Sequence, residues 1–393
     1  MARDALCIIR HPLLDRMSVC LSAVEKVFKV RSLSVAGKLW QLPKTIPTLN
    51  VLCLHGWLDN ANSFDHLAPQ LTERFGANVF ALDLCGHGKS DWLPQASFYY
   101  QTEYAAFALS VLGKEGLDWI GPEKPPCMLI GHSMGAGIAT VVAGSFPEYF
   151  DGLVFLDGVG PVSESSKRAP AQFRSAFLSE SASKIAKDLG KSQRRYADLD
   201  EIVARRQAAV SKFPGKQKIS YSAAKTILER GTKLACESGV DGRDGSLVFT
   251  HDPRLNNGTP LRFNEEQVRA LLENISCPTT AVLASSGWPS SNRNGGPVTI
   301  FQILKGADTN HVRENDFEVE ENLWDHPRLR ILKHLKHPVR LENSFHHLHI
   351  EPETQTCVVD LVSDFIANHV TGKPRETTGQ KAWSTDLRPP DGM

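Results

Sequence analysis

The chain has no run of about 18 apolar residues, which by length excludes a transmembrane helix. Its first residues lack the long apolar region of a secretory signal. Neither sign of charge is in surplus: Lys plus Arg and Asp plus Glu each total 44. A formal net charge of zero offers no electrostatic capture of nucleic acid or of an anionic membrane, so the expected partner is a small molecule. None of the 8 Cys stands in a Cys-x-x-Cys pair. Cys53 and Cys85 lie in or beside apolar runs and read as reduced core residues of an intracellular protein, not as a disulfide framework or a zinc site. No internal repeat is present. Arg3, Arg10 and Arg16 suggest an organellar transit peptide, and Asp4 and Asp15 argue against it. The expected compartment is therefore cytoplasmic, with a mitochondrion or other organelle as the alternative. From about Gly372 the chain is rich in Pro, Thr, Gly and charge and reads as a disordered tail; its final Asp391-Gly392-Met393 is not a peroxisomal signal. Composition does not fix an oligomeric state.

What is present is a large apolar fraction, 41% of 393 residues, in short blocks. Val51 to Leu54, Val79 to Leu82, Met128 to Ile130 and Leu153 to Leu156 are continuous apolar runs, the pattern of strands covered on both faces. Residues 30–42 alternate and predict an early antiparallel strand. Helices are expected over 64–75, 102–120 and 135–147. Alternating buried strands and helices imply an α/β fold, a mostly parallel sheet with helices on both faces. The pattern breaks between Val162 and Ser276, where polar and helical stretches (184–189, 199–210, 223–234) predict a helical insertion over the carboxyl ends of the strands. The sheet resumes at Thr279 to Ala284, strand material is expected within Leu329 to Leu341, and a helix from Glu353 to Asn368. The expected division is an extension (1–29), a core (30–161 and 277–370), a helical cap (162–276) and a tail (371–393). Residues 286–328 are Ser-, Asn- and Gly-rich, then acidic, an uncommonly long irregular stretch inside a domain.

One segment carries the chemistry. Cys127 to Gly137 runs from an apolar strand through Gly131-His132-Ser133-Met134-Gly135 into small and apolar helical residues. A serine at the tip of such a strand-to-helix turn is held in strained backbone, exposed above the sheet, with a helix N-terminus beneath it. The glycines two positions to either side avoid collision with the neighbouring elements. A serine hydroxyl is a weak nucleophile until a base takes its proton, and its tetrahedral intermediate needs hydrogen-bond donors. His55-Gly56-Trp57 follows the strand Val51 to Leu54, so the Trp57 and Met134 amides are the expected oxyanion donors. The base is sought late in the chain, among His346, His347 and His349. No carboxylate or Cys stands near those histidines at ligand spacing, so no metal is expected, and acyl transfer needs no cofactor. The acid is harder to find. Ser285-Ser286-Gly287, after the strand Thr279 to Ala284, carries no carboxylate. Asp157, directly after Leu153 to Leu156, is the geometric candidate, and Asp308 lies in the unplaced stretch. Asp83 to Asp91 reads as a pinned loop in which His87 is structural.

Together these motifs resemble the α/β-hydrolase superfamily. More narrowly, Leu156-Asp157-Gly158-Val159-Gly160-Pro161, His251-Asp252-Pro253-Arg254-Leu255 and His346-His347-Leu348-His349 resemble the serine hydrolase-like protein group. The resemblance covers about residues 30–370. It implies Ser133 as nucleophile, His346 as base and a helical cap. That group usually carries an acidic residue where Ser286 stands. The expected function is hydrolysis of a carboxylic ester, thioester or amide through an acyl-enzyme on Ser133. The rival is a binding protein that keeps the fold and has lost its acid.

Overall fold

A computed structural model describes residues 21–371, apart from 96, 189–193, 214–216, 236–244 and 288–325. The N-terminal segment weighed as a transit peptide, the tail beyond 371 and Asp308 all lie outside the described residues.

The four apolar runs form the centre of one sheet. Its strands are β1 (Val24–Val30), β2 (Leu33–Trp40), β3 (Asn50–Leu54), β4 (Asn78–Leu82), β5 (Cys127–His132), β6 (Gly152–Leu156), β9 (Thr279–Ser286) and β10 (Val339–Phe345). Among the described residues they lie in the order β1-β2-β4-β3-β5-β6-β9-β10. The β1/β2 and β2/β4 pairs are antiparallel, and every later pair is parallel. Continuous apolar sequence is what such strands need, because successive side chains face opposite cores. In β3, Leu52 and Leu54 enter the core beneath α2 (Gln101–Leu112), α3 (Met134–Ser145) and α7 (Glu265–Asn274). Val51 and Cys53 enter the opposite core, against α1 (Leu67–Phe75) and α8 (Gln355–His369).

The structure corrects several boundaries. The sheet begins at Val24 rather than near residue 30, and the single early strand is two. Most of β1 is exposed or half-buried, the property of an edge strand whose apolar signal is weak. Helix α2 stops at Leu112, where Gly113 takes an extended backbone. The insertion is helical in α4 (Ala169–Asp188), α5 (Leu199–Val210) and α6 (Tyr221–Gly231). It also contains an antiparallel ribbon of β7 (Thr232–Leu234) and β8 (Leu247–Phe249), so the helix expected over 223–234 ends early. The strand near residue 340 runs on to Phe345.

The insertion sits on loops that leave the carboxyl ends of β3 and β4. Asn60 Nδ2 donates to the Ile227 carbonyl at 2.8 Å and Asn62 Nδ2 to that of Thr226 at 2.9 Å. Arg206 meets the buried Asp59 carboxylate at 2.6 Å. Arg230 meets the buried Asp83 at 2.8 Å and Glu25 at 2.6 Å. Its own small core of Tyr196, Ile202, Val203, Ile227 and Leu228 is completed by Ile350, from the far end of the chain. These contacts seat the insertion on the carboxyl-end side of the parallel strands, the side on which α/β sheets bind ligands.

Candidate active site

Ser133 stands between β5 and α3 with φ 52° and ψ −113°, a conformation L side chains rarely hold. Two close approaches keep it there. A Cβ on Gly135 would lie 2.0 Å from the Leu54 carbonyl oxygen, so only glycine lets α3 start this near β3. The Ser133 amide donates to the Leu156 carbonyl at 3.0 Å, tying the turn to the end of β6. The turn thereby sits next to Asp157, the residue that follows.

The structure brings three distant residues into a row. Ser133 Oγ lies 2.8 Å from Nε2 of His346. His346 Nδ1 lies 2.5 Å from Oδ2 of Asp157. The other carboxylate oxygen of Asp157 accepts the Ala284 amide at 2.9 Å, which fixes its plane. With Nδ1–H donated to the carboxylate, the Nε2 lone pair faces the serine hydroxyl. Asp157 and His346 are buried and Ser133 is half-buried. Burial, together with His132 and His347, holds the His346 ring well below the ordinary histidine pKa, so the resting ring is neutral and able to take a proton.

Of the expected oxyanion donors, Met134 directly follows Ser133, and Trp57 lies in the loop after β3. Met134 opens α3, and a first-turn amide has no carbonyl four residues back within its helix. Among the described residues neither the Trp57 nor the Met134 amide donates to a backbone carbonyl outside the regular elements. The Trp57 indole is anchored to the insertion: its Nε1–H donates to the Leu255 carbonyl at 3.1 Å, and its ring packs edge-on to Phe213.

His347 and His349 stand apart from the serine. The His347 ring lies 3.4 Å from the Asp59 carboxylate, and His349 packs against Phe64 and His132. Burial opposes the charge on Asp59, but His347, His132 and Arg206 outweigh it and hold its pKa well below the usual carboxylate value. His87 is buried against His55 and the Cys85 carbonyl. Among the described residues no cluster of His, Cys, Asp and Glu is arranged to hold a metal ion.

Two features escaped the sequence. Asp59, four residues beyond His55, was there to be noticed as a carboxylate in a motif-bearing loop. Gln217 gave no signal at all: it sits in a polar run, yet its side chain is buried against the His346 loop.

Gly287 makes a second tight demand on the site. A Cβ there would lie 2.2 Å from Oδ1 of Asp157. The expected result of Gly287→Ala is a displaced carboxylate and a kcat lower on the order of 10²-fold, with Tm little changed, since misplacing a reacting group by about 1 Å has that effect. Unchanged kcat would show that Asp157 has no fixed role.

Comparison with known proteins fits this geometry. A family profile for the α/β hydrolase fold matches residues 50–198. A serine hydrolase-like protein of Dictyostelium discoideum is 31% identical over 284 residues, covering 72% of this chain and 70% of that protein. A serine hydrolase-like protein of Danio rerio is 27% identical over 251 residues, covering 64% of this chain and 68% of that protein. Among solved structures, a hypothetical protein of Pseudomonas aeruginosa superposes with a TM-score of 0.65 at 27% identity, covering 87% of this chain and 99% of that one.

Proposed function

The chain belongs to the serine hydrolase-like proteins of the α/β-hydrolase fold, and from that premise we propose that it hydrolyses a carboxylic ester, thioester or amide through an acyl-enzyme on Ser133. The observation that carries this reading is the continuous row from Ser133 Oγ through the His346 ring to the Asp157 carboxylate, at 2.8 and 2.5 Å.

In this reading Ser133 Oγ attacks the acyl carbon while its proton passes to His346 Nε2. Asp157 keeps the ring in the tautomer that can accept that proton and stabilises the imidazolium that results. The Trp57 and Met134 amides hold the oxygen on which negative charge develops. His346 then returns the proton to the leaving alcohol, thiol or amine. Water, deprotonated by the same ring, frees the acid and restores the serine. Residues 162–276 act as a cap that shapes the acyl pocket over a core formed by 24–161 and 277–370. No helix among the described residues is long and apolar enough to cross a membrane.

The test is labelling by a fluorophosphonate, which reports an activated serine without knowledge of the substrate. Wild type is expected to be labelled at Ser133, and Ser133→Ala to lose the label with Tm nearly unchanged. Absence of label on the folded wild type would favour the binding-protein alternative, and label persisting on the alanine variant would place the nucleophile elsewhere.

A further inference from the structure

The base of a serine hydrolase is usually held by its acid and its own loop. Here a residue of the insertion also reaches it. Gln217 lies in the segment between α5 and α6, and only 2% of it is exposed. Its Oε1 accepts the His346 backbone amide at 3.0 Å. Its Nε2 donates to the Ser286 carbonyl at 2.6 Å and to the Gly287 carbonyl at 3.0 Å. Gly287 is the residue with no room for a Cβ beside the Asp157 carboxylate. One amide therefore grips the backbone on both sides of the His346–Asp157 pair, and both of its ends are used.

The contacts around it run the same way. The Ser220 amide donates to Oε1 of the buried Glu351 at 2.9 Å. The Lys218 ammonium lies 5.5 Å from the centre of the Phe345 ring. Ile219 and Ile350 share the insertion's small core. Residues 217–220 thus lie along residues 345–351, and the insertion and the base loop are packed as one unit.

From this we infer that Gln217 is a positioning residue: it sets the His346 ring and the Asp157 carboxylate in register, and makes correct seating of the insertion a condition for an active base. The inference rests on the hydrolase reading above. Chemically, a primary amide is suited to the task because it donates and accepts at once. A buried carbonyl or amide left without its partner would move to find another, and the base loop carries the His346 ring with it.

Two variants test this. Gln217→Leu keeps the approximate volume and removes both ends of the grip. It is expected to lower kcat for a p-nitrophenyl ester, and the rate of fluorophosphonate labelling, on the order of 10²-fold with KM within about twofold. The strongly deshielded proton resonance of His346 Nδ1–H is expected to be lost. Gln217→Glu is the sharper probe. While protonated, its carboxyl group can still accept the His346 amide and donate to one of the two carbonyls. Once ionised, it cannot donate to the Ser286 and Gly287 carbonyls. The ratio of variant to wild-type kcat is therefore expected to be highest at acid pH and to fall as pH rises. A pH-independent ratio near one, or a raised KM with unchanged kcat, would overturn the inference and leave Gln217 as a mere attachment of the insertion. If Gln217→Leu does not fold, the Gln217→Glu titration decides alone. A wild type that neither turns over ester nor takes the label would refute the hydrolase reading, while the resonance comparison still decides the role of Gln217.

Discussion

His346→Ala is expected to lower ester turnover on the order of 10⁴- to 10⁶-fold, the scale seen when the base of a serine triad is deleted. The ring is the only group within hydrogen-bond reach of Ser133 Oγ among the contacts of the described residues, at 2.8 Å. With it gone, the attacking hydroxyl has nowhere to send its proton. The neighbouring histidines provide the control. The His347 ring faces Asp59, so His347→Ala is expected to cost no more than about 10²-fold, through small shifts of the loop. His349 is completely buried, and His349→Ala is expected to appear chiefly as a lower Tm from the cavity it leaves. Steady-state kinetics of the three variants, read beside their melting curves, separates these roles. If His347→Ala proves the severe one, the base is misassigned.

Asp157→Asn is expected to cost turnover on the order of 10⁴-fold while leaving the fold intact, by the tautomer argument known from serine proteases. The surroundings make that argument unusually definite. One oxygen of Asp157 accepts the Ala284 amide at 2.9 Å, so the Asn carbonyl must stay on that side. Its NH₂ group then points at His346 Nδ1 and donates to it. The ring is forced to carry its proton on Nε2, facing Ser133, where it can no longer act as base. A loss under tenfold would remove Asp157 from the mechanism. Ser286, at the end of the neighbouring strand β9, carries no carboxylate that could take its place.

The centre of the fold was legible because β3 to β6 are buried on both faces and must be apolar throughout. Its margins were not. In β1 exposure alternates from Glu25 onward, but Val27 falls on the exposed face and Lys26 on the half-buried one, so the edge reads as weakly as a loop. Strand β10 is broken by a register shift between Leu341 and Phe345, where Asn343 takes φ 54°, so no clean period survives in its sequence. The three-residue strands β7 and β8 are too short for any period to show. In the site, Ser133 was readable because strand, turn and helix constrain a whole stretch of residue types. Asp157 was reachable only by asking where a strand ended. Gln217 was beyond reach, since what fixes it is a tertiary contact across 129 residues of sequence.

The shared packing of Ile350 with the insertion has a consequence for the order in which the molecule is made. A ribosome releases residues 199–228 long before residue 350, and β9 and β10 are synthesised in between. Until Ile350 emerges, the nucleus formed by Ile202, Val203 and Leu228 lacks one wall. Contacts of such sequence separation form late, because the intervening chain must first be brought together. Under the proposed mechanism the nascent polypeptide would therefore carry Ser133 while His346, its proposed proton acceptor, is still untranslated or unanchored. Acyl-transfer competence would arrive last, at the same step that closes the insertion's interior, so a partly made chain holds no activated serine to react with the esters around it.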